Sequence, residues 1–240
     1  MTPRSRFGIE TTATDTDRPS RTTVAAGASE RTLRGFGVLF GIGLVGVLSL
    51  IPVVATRLLA TPDLADVPPA LAVVASLLTP TLLLALSVAV GCRTAPRLGL
   101  RSHVFTRVVH GTPVRGELRR DVGPAVRWGL LTGVVLAAVQ FVLAPFVAAL
   151  APTTEGATLE AVLLSVPLRF LYGGLTEELL LRWGLMSLVA FVLFRTVQRG
   201  RSAPSSGVLR GAIGTAAVVF AVGHLPAAAA LGPLTPAVVG

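Results

Sequence analysis

Lysine is missing from this chain: all 21 of its basic residues are arginine. A Gly-rich phosphate loop closed by its lysine is therefore excluded. Only one cysteine is present, Cys92, at the end of an apolar run beside Arg93. That leaves neither a disulfide framework nor a Cys-based metal site. Charge is scarce as well, at 14% of the 240 residues against 52% hydrophobic, with a mean hydropathy of +0.75. A chain this apolar and this poor in charge is not an ordinary soluble domain.

What is present points to an all-α polytopic transmembrane helical bundle. Apolar stretches at roughly 36–60, 70–92, 126–150, 161–195 and 211 to the end are each near or above the about 20 residues that a spanning helix needs. About five spans are expected. Residues 1–35 carry Thr, Ser, Arg and Asp without apolar periodicity and read as a disordered tail. Residues 36–125 then hold two N-terminal spans and a basic loop, and 126–240 the remaining spans.

The net charge of +9 and a pI near 11.6 would fit a nucleic-acid partner, but the arginines are placed by topology instead. Arg4, Arg6, Arg18, Arg21, Arg31 and Arg34 lie in the tail, eight more in the 93–127 loop, and Arg195, Arg199, Arg201 and Arg210 after the fourth span. The alternate connections hold only Asp63 and Asp66, or Glu155 and Glu160. Such alternation predicts a multi-pass protein of the cell membrane with a cytoplasmic N-terminus. The partners expected are the lipid bilayer and no nucleic acid. Within the long loop, "RLGLRSHVFTRVVHGTPVRGELRRDVG" is read either as carrying a short amphipathic helix on anionic lipid or as a solvated connector. Gly37 with Gly41, and Gly129 with Gly133, have the four-residue spacing that lets helices approach closely.

Ionisable side chains inside an apolar run cost about 2.5 to 3.5 kcal/mol each on insertion scales, which singles out "GGLTEELLLRWG" in the fourth span. That span is about 52 Å long as a helix against a core of about 30 Å, so it must tilt, kink or overrun. Pro167, the Gly173-Gly174 pair and Gly184 are the expected places. Glu178 and Arg182 are four apart with the acid first, the favoured order for an ion pair along a helix. Glu177 lies about 100° round the helix from Glu178, so one arginine does not easily serve both. The pair reads as internal packing, and Glu177 as the acid left for proton transfer. Arg169, Tyr172 and Thr176 add polar groups on the preceding turns.

His103 and His110 lie in the basic loop, where a solvated role is expected. His224 instead sits inside the last apolar run, in "AAVVFAVGHLP", with Phe220 one turn earlier on the same face. Counting from the cytoplasmic ends, Glu177 and His224 reach similar depth. Either the imidazole and the carboxylate face one cavity and share a water or a metal ion, or the histidine bonds a backbone carbonyl.

Together these stretches resemble a known pattern. "EELLLR", Glu177 to Arg182, is similar to the EExxxR motif of the CPBP intramembrane protease family, and "FAVGH", Phe220 to His224, to its FxxxH motif. That family includes the type II CAAX prenyl endopeptidases and the Abi or bacteriocin-processing proteins, and the likeness covers about residues 125–230. It implies an intramembrane endopeptidase acting on a peptide or protein substrate in or at the membrane, prenylated near its C-terminus in the CAAX case. The implied catalytic set is Glu177, Glu178 and His224. Glu177 is the base for the attacking water, His224 positions that water, Glu178 is held by Arg182, and Phe220 forms cavity wall. Family naming as metalloproteases implies a divalent metal, zinc, while naming as glutamate-dependent peptidases implies none; no HExxH decides between them. The family carries a further histidine on a later span, followed four residues on by Asn or Asp. None follows His224, so the chain is expected to be C-terminally incomplete. Two other readings remain: a non-catalytic membrane scaffold or immunity-type protein keeping the motifs, and a transporter with Glu177 as proton site. The lack of an inverted repeat counts against the transporter.

Overall fold

In a computed structural model of the chain, residues 21–59, 67–148 and 166–229 are described. Every regular element among them is helical: α1 (Arg21–Leu48), α2 (Ile51–Leu59), α3 (Pro69–Thr94), α4 (His103–His110), α5 (Arg115–Ala148), α6 (Val166–Val197) and α7 (Ser206–Ala229). Five segments are long and apolar enough to cross a membrane: Ser29–Thr56, Pro69–Leu98, Arg115–Leu143, Val166–Val197 and Ser206–Leu225. The protein is an all-α membrane bundle. Residues 1–20 of the expected tail, the acidic connections with Asp63, Asp66, Glu155 and Glu160, and the C-terminal end after 229 lie outside the described residues.

Several boundaries differ from the sequence reading. Residues 21–35, read as the end of a disordered tail, belong to α1; Ala, Arg and Glu in "RTTVAAGASERTLR" are good helix formers that carry the apolar helix outward. The first span breaks between Leu48 and Ile51, because Pro52 has no N–H to return to Leu48. Ser49 closes the break, its N–H and its hydroxyl both donating to the Gly46 carbonyl at 3.1 and 2.6 Å. α5 begins at Arg115, so the second half of the basic loop is helix.

The packed centre is where α1, α3 and α6 meet. On α1 the buried stripe is Gly35, Leu39, Gly43, Gly46 and Val47; on α3 it is Leu84, Val88, Gly91, Cys92 and Ala95. Each stripe recurs at three and four residues, one face of a helix. Without a hydrophobic drive between helices in lipid, close approach of backbones supplies the attraction. Glycine permits it here: a Cβ on Gly46 would collide with the Leu171 carbonyl and Thr176 Oγ1, one on Gly91 with Trp183, and one on Gly184 would lie 2.5 Å from Ser87 Cβ. The glycine pairs expected from four-residue spacing do not serve this purpose. Gly37, Gly41, Gly129 and Gly133 have nothing within 4 Å of a built Cβ, because the first two lie on the other face of α1 and the last two on α5.

Buried hydroxyls lock the same seam. Thr176 Oγ1 donates to the Gly43 carbonyl at 2.7 Å, and Thr94 and Ser187 join hydroxyl to hydroxyl at 2.7 Å. Ser187 also contacts the carbonyls of Trp183 and Gly184 on its own helix.

The short helix α4 docks on the bundle through one side chain. Ser102 caps it by accepting from the Phe105 N–H, and Gly111 ends it at a left-handed φ of 68° as a C-terminal glycine does. Its Phe105 is buried against Trp183, with ring centroids 5.3 Å apart, beneath Gly35. His103, expected to be solvated, bonds Asp121 at 3.1 Å and so ties α4 to the start of α5. Glu117 of α5 also lies 3.8 Å from Arg101, but none of the apolar window of α5 is buried.

Candidate active site

α6 is unusual in its backbone. Arg169–Thr176 and Leu179–Met186 are wound as π-helix, with Glu177 and Glu178 in α-helical geometry between them. The Glu177 N–H reaches back five residues to the Tyr172 carbonyl. Such widened turns mark functional sites more often than chance. Gly173, Gly174 and Gly184, where the sequence suggested kinks, fall inside the two widened stretches. The angles argued for a regular α-helix therefore hold only locally, between Glu177 and Glu178.

The structure separates the two acids. Glu178 Oε2 forms an ion pair with Arg182, 3.0 Å from its Nε, along one side of α6. Glu177 turns the other way, its carboxylate folding back over Gly173, where a side chain would reach Oε2 at 3.7 Å, and it is the more buried of the two acids, at 24% against 47% side-chain exposure. Its Oε1 lies 4.0 Å from Nε2 of His224 on α7. That distance is too long for a direct hydrogen bond.

His224 arrives there because α7 packs on α6 through Val208 and Ala212, which pack with Ala190 and Leu98. Small residues at four-residue spacing, Val208, Ala212 and Ala216, form the buried edge of α7. The imidazole is oriented within its own helix: Nδ1 lies 2.8 Å from the Phe220 carbonyl, and the rings of Phe220 and His224 sit 4.2 Å apart. A carbonyl can only accept, so Nδ1 carries the hydrogen. In the neutral ring Nε2 is then bare and faces Glu177. The backbone carbonyl contact is thus made by Nδ1, and Nε2 is left toward the carboxylate.

Between the helices is a cleft of about 300 Å³ bounded by Gly173, Glu177, Glu178 and Arg182 on α6 and by Ile213, Ala216 and Phe220 on α7. Phe220 forms wall, as the motif implied. Thr176 does not face this cleft; it is fully buried on the opposite side, against α1. Tyr172 is half-buried against the central cluster.

A zinc ion in a catalytic site takes three protein ligands and an open position. Here Glu177 and His224 converge while Glu178 is held by Arg182, and no group of three His, Cys, Asp or Glu is assembled among the described residues.

Sequence reasoning missed one contributor: the Phe220 carbonyl fixes the tautomer of His224, and as a backbone atom it left no signal. Comparison with protein-family models, with curated proteins and with solved structures finds no match for this chain.

Proposed function

We propose that this protein is an intramembrane endopeptidase that hydrolyses a peptide bond of a membrane-associated substrate through a water activated by Glu177. The observation that carries this reading is the facing pair, Glu177 Oε1 and His224 Nε2 at 4.0 Å, with Nδ1 engaged by Phe220. Two acceptors at that separation suit one water that donates a hydrogen to each, because legs of about 2.8 Å opened at the angle of water span about 4.4 Å. The oxygen lone pairs of such a water point away from both groups. Attack on a substrate carbonyl carbon then forms the C–O bond as Glu177 takes the proton. On collapse the C–N bond breaks, and the same proton passes to the leaving amine. His224 holds the water without needing to change charge.

The arrangement of arginines supports placement in the cell membrane with the N-terminus in the cytoplasm, and the substrate is a peptide or protein entering from the bilayer. A prenylated, CAAX-type substrate is the specific case that the resemblance implies. A second reading, a non-catalytic scaffold, is favoured by the pairing of Glu178 with Arg182, which needs no chemistry to explain it. Proteoliposomes carrying the chain separate the two. Release of a product peptide from a membrane-anchored, prenylated reporter, lost in Glu177→Gln and in His224→Ala with insertion intact, supports the peptidase. Equal release by both variants overturns it.

A further inference from the structure

The two basic loops differ in how their arginines are neutralised. Across the loop before α5 and the first turns of α5, Arg101 lies 3.8 Å from Glu117 and Arg120 lies 3.7 Å from Asp121. Among the described residues Arg195, at the end of α6, and Arg199 and Arg201, in the turn to α7, form no ion pair. The turn holding them is nevertheless built. Gln198 clasps Ser205, its Oε1 accepting the Ser205 N–H at 3.0 Å and its Nε2 contacting the hydroxyl. Arg201 N–H bonds the Gln198 carbonyl at 3.2 Å, and Gly200 takes a φ of 87°, a conformation that glycine adopts without strain.

This turn forms a cup of about 300 Å³ lined by Phe194, Arg195, Gln198, Arg199, Gly200 and Arg201. All three guanidiniums are exposed, and Arg195 lies over the Phe191 ring at 5.8 Å. The cup sits where one candidate span ends, at Val197, and the next begins, at Ser206. The end of a membrane-spanning helix lies near the lipid headgroups. Three like charges gathered on a fixed turn repel one another unless an anion lies among them, and guanidinium binds phosphate oxygens through paired N–H donors. Phe194 offers an apolar wall on the bilayer side.

We propose that this cup is a binding site for the phosphate group of an anionic phospholipid. It does not depend on the peptidase reading. Each arginine at a membrane surface adds attraction to anionic lipid, so removing two weakens retention by on the order of 30-fold. The test uses the full chain in nanodiscs or detergent and reads lipid retention by native mass spectrometry with phosphatidylglycerol, with phosphatidylcholine, and with inorganic phosphate alone. Wild type should retain phosphatidylglycerol over phosphatidylcholine, Arg199→Gln/Arg201→Gln should lose that preference, and Arg119→Gln/Arg120→Gln, which removes the same charge from the other loop, should keep it. All four positions are exposed, so the variants fold, and an unchanged elution volume verifies this. Equal loss in both double variants would mean diffuse charge and would overturn the site. Competition by millimolar inorganic phosphate that fully displaces the lipid would overturn the lipid as occupant.

Discussion

α6 presents two faces that use their residues in opposite ways. Toward α1 and α3 it buries Thr176, Trp183, Gly184 and Ser187, and each hydroxyl there is satisfied by a backbone carbonyl or another hydroxyl. Toward α7 it borders a cleft lined by Glu177 and Phe220, and Glu177 Oε1 stands 4.0 Å from His224 Nε2 without bonding it. The closed face supplies rigidity through glycine and small polar groups. The open face holds Glu177 and His224 close together without a direct bond, while on the closed face the indole Nε1 of Trp183 is buried without a hydrogen-bond partner among the described residues.

Substitutions on the two faces should therefore separate activity from stability. The largest effect is expected at the open face: Glu177→Gln should lower reporter cleavage about 10² to 10⁴-fold, the contribution of a positioned general base, with no change in thermal aggregation temperature. Next, Gly46→Ala should destabilise the detergent-solubilised protein by about 1 to 3 kcal/mol through overpacking against a backbone carbonyl that cannot yield. Gly37→Ala, on the open side of α1, should be neutral or stabilising, by up to about 1 kcal/mol from helix propensity; equal losses at the two positions would erase the distinction between the faces. Thr176→Val removes one buried interhelical hydrogen bond and should cost about 1 kcal/mol, the size of such bonds in membrane helices, measurable by denaturant titration.

The fold class was legible because apolar length and arginine placement are properties of the bilayer more than of any particular fold. The pairing of Glu178 with Arg182 was legible too, since a four-residue spacing survives the change in winding. Which glycines pack was not. α1 carries two interleaved sets, Gly37 with Gly41 and Gly35 with Gly43 and Gly46, and the sequence spacing favoured the wrong one. The choice is made by Leu171 and Thr176 on α6, more than a hundred residues away. The π-helical winding around Glu177 was likewise hidden, because it depends on how α6 is held between neighbours. α4 looked amphipathic from its pattern, but only the position of Gly35 and Trp183 shows that its apolar side docks on the bundle.

The central claim is that Glu177 and His224 act on one water as a unit. A double-mutant cycle on reporter cleavage in proteoliposomes tests it directly, using Glu177→Gln, His224→Gln and the double variant. Groups that act together are non-additive, so the double variant should be no slower than Glu177→Gln alone. If the two losses multiply, or if His224→Gln cleaves as fast as wild type, the shared water is contradicted.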